Sequence, residues 1–204
     1  MASSVPDLVL GSSSPSRKRL LENAGLAFEV VPPRVDEASI LQVMRMDDDT
    51  PVPSDVAEVL ARAKAEEVRS RVSGRAVLCS DQVLSLGDGI LTKPASMEAA
   101  RDQLLKLAGK THQLHTAAVL VKGDMDLWSM VTTVDVTFRP YDPAFVGRYL
   151  AACGETVLSS VGAYQIEGVG VQLISKLVGD IFSVQGLPLI ETLEALREHK
   201  VIGG

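Results

Sequence analysis

Cysteine is scarce in this chain, long apolar runs are missing, and basic charge is in the minority. The two cysteines, Cys79 and Cys153, lie far apart and form no CxxC motif. That suits inert core thiols in a reducing compartment, so the expected location is the cytoplasm. The longest uninterrupted apolar run, Ala117 to Val121, is far too short to span a bilayer. The N-terminal MASSVPDLVLGSSS has no basic segment leading into an apolar stretch, so no secretory signal is expected. Twenty Lys and Arg against 26 Asp and Glu leave a net charge of −6, which gives no general attraction to nucleic acid or to an anionic membrane. There is no repeat, no low-complexity segment, and no GxxxxGKS or GxxxxGKT phosphate loop. His112 and His115, in HQLH, fall on opposite faces of a strand, a poor arrangement for one zinc. His199 reads as a solvated tail residue, and no Ser–His–Asp arrangement is readable.

What is present suits one large domain, 1–204, able to bury a sizeable core. Val5–Leu10 reads as a buried strand, Ser14 as a helix cap with Pro15 at the first helical position, and Gly25 as the stop. Phe28–Val31 is a short strand ended by prolines, and Arg34–Pro53, with its acidic MDDD, reads as a solvated surface loop. Asp55 and Glu58 suggest a capping box. The helix that follows carries Val56, Val59, Leu60, Ala63 and Val68 on one stripe. Ala76–Leu86 is a strand that turns at Gly87–Gly89 into Ile90–Thr92. A helix spans Met97–Leu107, and Gln113–Val121 with Leu127–Arg139 forms an antiparallel hairpin containing Trp128, read as a packing residue. Helices follow from Asp142-Pro143 and over Leu189–Glu198, separated by a glycine-rich stretch. The pattern is α/β, with a mixed twisted sheet, flanking helices and a cleft between two lobes.

The segment LGSSSPSRKRLLENAG places Arg17, Lys18 and Arg19 at the start of a helix, where free N–H groups and the positive dipole end disfavour cations. A bound polyanion would account for them; so would a solvated basic face with Ser14 as a cap. Four further features bear on the choice. VDE places Asp36 and Glu37 after a strand. Lys64 sits on an amphipathic helix. Asp81 interrupts the apolar strand AVLCSDQVLSL, where a buried carboxylate needs a cation, a metal or hydrogen bonds. Lys93-Pro94 follows the next turn. Together they supply carboxylates for a hard divalent cation and cations for phosphate oxygens.

With LGSSSPSRKRLLENAGLAFEVVPPRVDE, AKAEEV, CSDQVLSLGDGILTKP, THQLHTAAVLV and VGAYQIEGVGVQLISKLVGDIFSVQGLPL, in that order over nearly the whole chain, the sequence resembles the Maf (septum-formation-inhibitor-like) nucleotide pyrophosphatases, in their SDQV subgroup. The resemblance implies a cytoplasmic, house-cleaning hydrolase that converts nucleoside triphosphates to monophosphate and pyrophosphate with Mg²⁺ or Mn²⁺, with a homodimer as the assembly. Carried over by motif, Asp81 would be the proton acceptor and Glu37 with Asp81 would lie at the metal. Arg17, Lys64 and Lys93 would hold phosphates, with Ser12 and Ser14 in the phosphate loop. Ser16, Gln82 and Glu167 would face the base. Many members carry arginine or tryptophan where Ser16 stands, and Gln82 matches the subgroup that includes 7-methyl-GTP hydrolases. Modified purine and pyrimidine triphosphates therefore both stay open as substrates.

Cations around Asp81 should lower its pKa and weaken it as a base, which leaves two roles for it: a metal ligand that positions water, or a proton acceptor. Two other functions compete. One is a non-catalytic nucleotide-binding regulator of cell division, which has little need of Asp81 and Glu37. The other is a monophosphatase, which would release orthophosphate.

Overall fold

A computed structural model describes residues 6–47 and 51–203; Val5 of the expected first strand and Asp48 and Asp49 of MDDD lie outside them. Strand β1, Leu8–Gly11, is buried throughout and leads through three serines into α1, Pro15–Asn23, capped by the Ser14 hydroxyl. Strand β2, Glu29–Val30, lies parallel to β1. The segment expected as a loop then forms α2, Glu37–Asp47. Asp36 caps it, accepting from Ser39 N at 3.1 Å and from Ser39 Oγ at 2.7 Å. Ile40, Leu41 and Met44 give it an apolar face against the core, a spacing hidden by the acidic composition around it.

Helix α3, Pro53–Arg69, starts at its proline after an uncapped Val52. Asp55 and Glu58 form no capping box; Glu58 instead accepts from Arg62. Its buried stripe is Val56, Ala57, Leu60, Ala61, Lys64, Ala65 and Val68, while Val59 and Ala63 turn away from the core. The fourfold spacing Val56–Leu60–Lys64–Val68 places one lysine on an otherwise apolar seam.

The long strand β3, Ala76–Leu86, turns into β4, Gly89–Leu91, and α4, Met97–Leu107, follows with Ser96 as its cap. Strands β5, Thr111–Lys122, and β6, Met125–Phe138, form the expected hairpin. Helix α5, Pro143–Cys153, is capped by Asp142. Between 154 and 173 the chain makes three short 3₁₀ turns. Strand β7, Ile174–Val178, the single-turn α6, Ile181–Val184, and α7, Leu189–Glu198, complete it. Neither β7 nor α6 was expected from the glycine-rich sequence.

The sheet runs β2-β1-β3-β5-β6-β7, with β4 on the side of β3. Pairing is parallel among β1, β2 and β3 and antiparallel from β3 onward. Alternation along β3 gives it two different faces. Val77, Cys79 and Val83 pack with Val9, Ala117, Val119 and α3. On the other face Ala76 and Leu78 pack with α1 and α7, and Leu84 packs with α4, α5, Phe138 and Tyr164. Between those two apolar clusters the second face is polar: Gln82 lies in register with Thr116, and Thr116 with Thr132. Trp128 is packed, as expected. No helix among the described residues is long and apolar enough to cross a membrane.

Candidate active site

A cavity of about 610 Å³ opens where β1 ends, and it is lined by every site residue carried over by motif: Ser12, Ser14, Ser16, Arg17, Glu37, Lys64, Asp81, Gln82, Lys93 and Glu167. Gly11 lets the serine loop press onto the sheet, because a Cβ there would sit 2.2 Å from Cys79 Sγ.

Asp81 faces α3, and its partner there is Lys64, whose Nζ donates to Asp81 Oδ1. The same ammonium pairs with Glu37 Oε1 at 2.7 Å. Of the two carboxylates in VDE, only Glu37 therefore enters the site; Asp36 is spent on the helix cap. The two acids differ electrostatically. Burial pushes the Glu37 pKa up, but the Lys64 hydrogen bond and the charges of Lys64, Lys93 and Arg17 outweigh it and hold the carboxyl below its ordinary range. At Asp81 burial wins over the charges of Lys64 and Arg17, and the pKa is raised. This corrects the expectation that surrounding cations leave it low: the sequence shows the cations but not the depth of the carboxylate.

Arg17 is held by the backbone. Its Nε donates to Gly186 O at 2.7 Å, and its Nη1 donates to Ser80 O at 2.7 Å and to Ser12 Oγ at 3.4 Å. Burial lowers its pKa, with Asp81 as the main opposing charge; a guanidinium nonetheless stays charged at neutral pH. Ser12 Oγ also accepts from Ser14 N at 3.1 Å, and Ser14 Oγ accepts from Arg17 N at 3.4 Å. Both hydroxyls thus shape the loop around the helix start. Lys93, two residues beyond the end of β4, reaches the same cavity and forms no ion pair among the described residues.

At the other end Ser16 Oγ donates to Glu167 Oε1, and Arg19 lies 3.8 Å from the same oxygen. This contact joins α1 to the turn around Gly168, 151 residues away in sequence. The Gln82 amide nitrogen donates to Thr116 Oγ1 at 2.9 Å and to the carbonyls of Ser183 at 2.8 Å and Val184 at 3.3 Å. The Ser80 and Gly186 carbonyls that fix Arg17 escaped the sequence reading. A backbone oxygen leaves no residue-type signal, although the glycine at 186 is a faint one.

The two site carboxylates, Glu37 and Asp81, offer oxygen ligands suited to a hard cation, in the same cavity as Arg17, Lys64 and Lys93. Among the described residues no group of three His, Cys, Asp or Glu could hold a metal, so substrate phosphates would have to complete the shell. His112 and His115 point to opposite faces. His112 Nε2 lies 2.9 Å from Tyr164 OH, with burial lowering its pKa to about 4, and His115 Nε2 lies 3.0 Å from Ser85 Oγ.

The family model described as Maf-like protein matches residues 7–199. The chain is similar to a 7-methyl-GTP pyrophosphatase of Mesorhizobium japonicum, 51% identical over 197 residues, spanning 97% of this chain and 98% of that protein. It is also similar to nucleoside triphosphate pyrophosphatase 1 of Jannaschia sp., 43% identical over 195 residues, or 96% and 98% of the two chains. The Ham1 protein of Staphylococcus aureus overlaps 64% of this chain and 71% of its own at a TM-score of 0.38 and 17% identity, a likeness too distant to add to the description of the site.

Proposed function

This chain belongs to the Maf family, and from that premise we propose that it hydrolyses nucleoside triphosphates between the α- and β-phosphates, giving nucleoside monophosphate and pyrophosphate. The observation that carries the reading is the convergence of Arg17, Lys64, Lys93, Glu37 and Asp81, from five separate elements or loops, on one cavity. Water attacks the α-phosphorus, the bond to the α–β bridging oxygen breaks, and pyrophosphate departs with that oxygen. The proton released by the attacking water goes to Asp81, whose carboxylate lines the cavity beside Lys64. Arg17 and Lys93 hold the phosphate oxygens, whose developing charge is the main thing to be stabilised. Ser12 and Ser14 shape the loop beneath them. Lys64 keeps both carboxylates aligned. Glu37 and Asp81 would hold Mg²⁺ or Mn²⁺, which when bound supplies further positive charge at the phosphates.

The base lies toward Ser16, Gln82 and Glu167. The names of the relatives make 7-methyl-GTP the first nucleotide to try, and the Glu167 carboxylate offers an acceptor for a guanine edge. As a homodimer in the cytoplasm the protein would act on the nucleotide pool; sedimentation at assay concentrations reads the mass.

The test is release of pyrophosphate from 7-methyl-GTP, GTP, UTP and dTTP with Mg²⁺ or Mn²⁺. The expected result is pyrophosphate, fastest from 7-methyl-GTP. Orthophosphate as the released product would make the protein a different phosphatase. Silence with every nucleotide, though they bind, would make it a binding protein.

A further inference from the structure

We propose that Lys64 holds the place of the divalent ion in the nucleotide-free protein, and that metal and triphosphate enter the site as a coupled pair, because the Lys64 ammonium must pass from the carboxylates to the phosphates. The proposal rests on the function above for its two ligands and adds the coupling between them.

The three cations of the cavity are held in three different ways. Arg17 is fixed, with Nε and Nη1 donating to the carbonyls of Gly186 and Ser80, and among the described residues no carboxylate lies within ion-pair distance of it. Lys93 lines the cavity without an ion pair among those residues. Lys64 is the cation committed to the acids: it donates to Asp81 Oδ1 and lies 2.7 Å from Glu37 Oε1.

That commitment sets Lys64 against a metal ion. Among the described residues no group of three His, Cys, Asp or Glu could hold a metal, so the ion has Glu37 and Asp81 as its protein carboxylates. Lys64 already takes one oxygen of each and neutralises half of their joint charge. Lys64 is 7% exposed and Asp81 6%, and in so dry a place a dication beside an ammonium is strongly repelled. With Lys64 on the acids, the nucleotide-free site is therefore a poor one for a metal.

The substrate's own charge frees the acids. A triphosphate tail brings anionic oxygens into the cavity that Lys64 lines. The Lys64 stem is buried with the apolar stripe of α3, so only the head group has to turn. An ammonium suits such a transfer, being a point charge with three donors on a flexible stem; the Arg17 fork, tied to two carbonyls, does not. Once Lys64 has turned to the phosphates, Glu37 and Asp81 are left without their nearest cation, and a buried charge without a partner is costly. A divalent ion then restores the balance. Triphosphate and metal thus tighten each other, by the same factor in either direction.

Mn²⁺ binding, read at pH 8 from the loss of the free-ion EPR signal, tests this without turnover. The nucleotide probe is α,β-methylene-GTP, which cannot be cut at the bond in question. Without nucleotide, Lys64→Met should bind Mn²⁺ about tenfold tighter than the wild-type chain. The gain should vanish in Lys64→Met/Glu37→Gln, which locates the ion at the two acids. The analogue should tighten Mn²⁺ binding about tenfold more in the wild-type chain than in Lys64→Met; chelation of Mn²⁺ by the analogue in solution is common to both and cancels. Lys64→Gln keeps a donor for the carboxylates and removes the charge, and it carries the test if Lys64→Met fails to fold. Mn²⁺ affinity unchanged or weakened by the loss of the ammonium would overturn the proposal and leave Lys64 a structural partner of the acids. A protein that shows the expected affinities and hydrolyses no nucleotide would refute the enzyme and still support the exchange of cations. Hydrolysis together with Mn²⁺ binding indifferent to Lys64 would do the reverse.

Discussion

Strand β3 carries two polar interruptions on opposite faces, and the two are built on different physics. On the α3 face Asp81 is paired by Lys64, which Glu37 shares. On the other face Ser80 and Gln82 meet neutral partners: a glycine carbonyl, two further carbonyls and a threonine hydroxyl. The neutral contacts are exchanges of one hydrogen bond for another and contribute about 1 kcal/mol each. The ionic group cannot be treated this way, because a buried charge that loses its partner leaves an uncompensated charge behind. One face is thus a place where charge is concentrated for chemistry, and the other is a seat for a structural element. The comparison teaches that polarity within a buried strand has two meanings, and that only the partner's charge separates them.

The comparison breaks most sharply at Asp81. Asp81→Asn keeps the shape and should reduce turnover at least ~10²-fold; near-normal pyrophosphate release would end its role as acceptor. Lys64→Met comes next. It leaves Asp81 buried without its nearest cation and should cost about 3–5 kcal/mol in denaturant unfolding. The same variant should move the acid limb of the pH–kcat/KM profile upward. Asp81 must be ionised to accept a proton, burial already raises its pKa, and Lys64 is the largest force opposing that rise. The two acids also act on stability with opposite signs. The lowered pKa of Glu37 contributes stability above its unfolded-state pKa, which is lost as pH falls through the lower folded value. The raised pKa of Asp81 contributes stability below its unfolded-state pKa, and that contribution disappears as pH rises through the folded value. Asp81→Asn should therefore relieve a cost at neutral pH, and Glu37→Gln should remove a gain there.

Much of this contrast could be read from the chain itself. Asp81 and Lys64 are legible because each is a charge at an apolar position, one in a strand and one on a helical stripe. Ser14, Ser96 and Asp142 announce their helices because a cap is a local side-chain event. Helix α2 was missed because its apolar spacing is thin and its surroundings acidic. Helix α6 was missed because one turn held by three side chains from three strands has no local pattern to find. Asp36 and Glu37 looked alike in sequence, yet one caps a helix and the other reaches Lys64. The link between Ser16 and Glu167 joins residues 151 apart, and no spacing rule reaches that far. The depth of Asp81, which decides the sign of its pKa shift, belongs to the packed sheet and to no single segment.

The smallest expected effect lies on the neutral face, at the end of the polar band farthest from Arg17. Thr132→Val removes one hydroxyl that donates to Ser183 Oγ at 2.9 Å. Ser183 Oγ keeps its own acceptor, Asp180 Oδ2, at 2.7 Å, and the Ser183 carbonyl keeps Gln82 and Thr116. No buried charge is uncovered, so the loss should be about 1 kcal/mol, or a few degrees of melting temperature for a chain of this size. The acid limb of the pH profile should stay where it is, because the Thr132 hydroxyl bonds to Ser183 and to neither Asp81 nor Glu37. A shift of that limb in Thr132→Val would mean that the two faces of β3 are electrostatically continuous, and the division between a face that holds charge and a face that holds a helix would have to be abandoned.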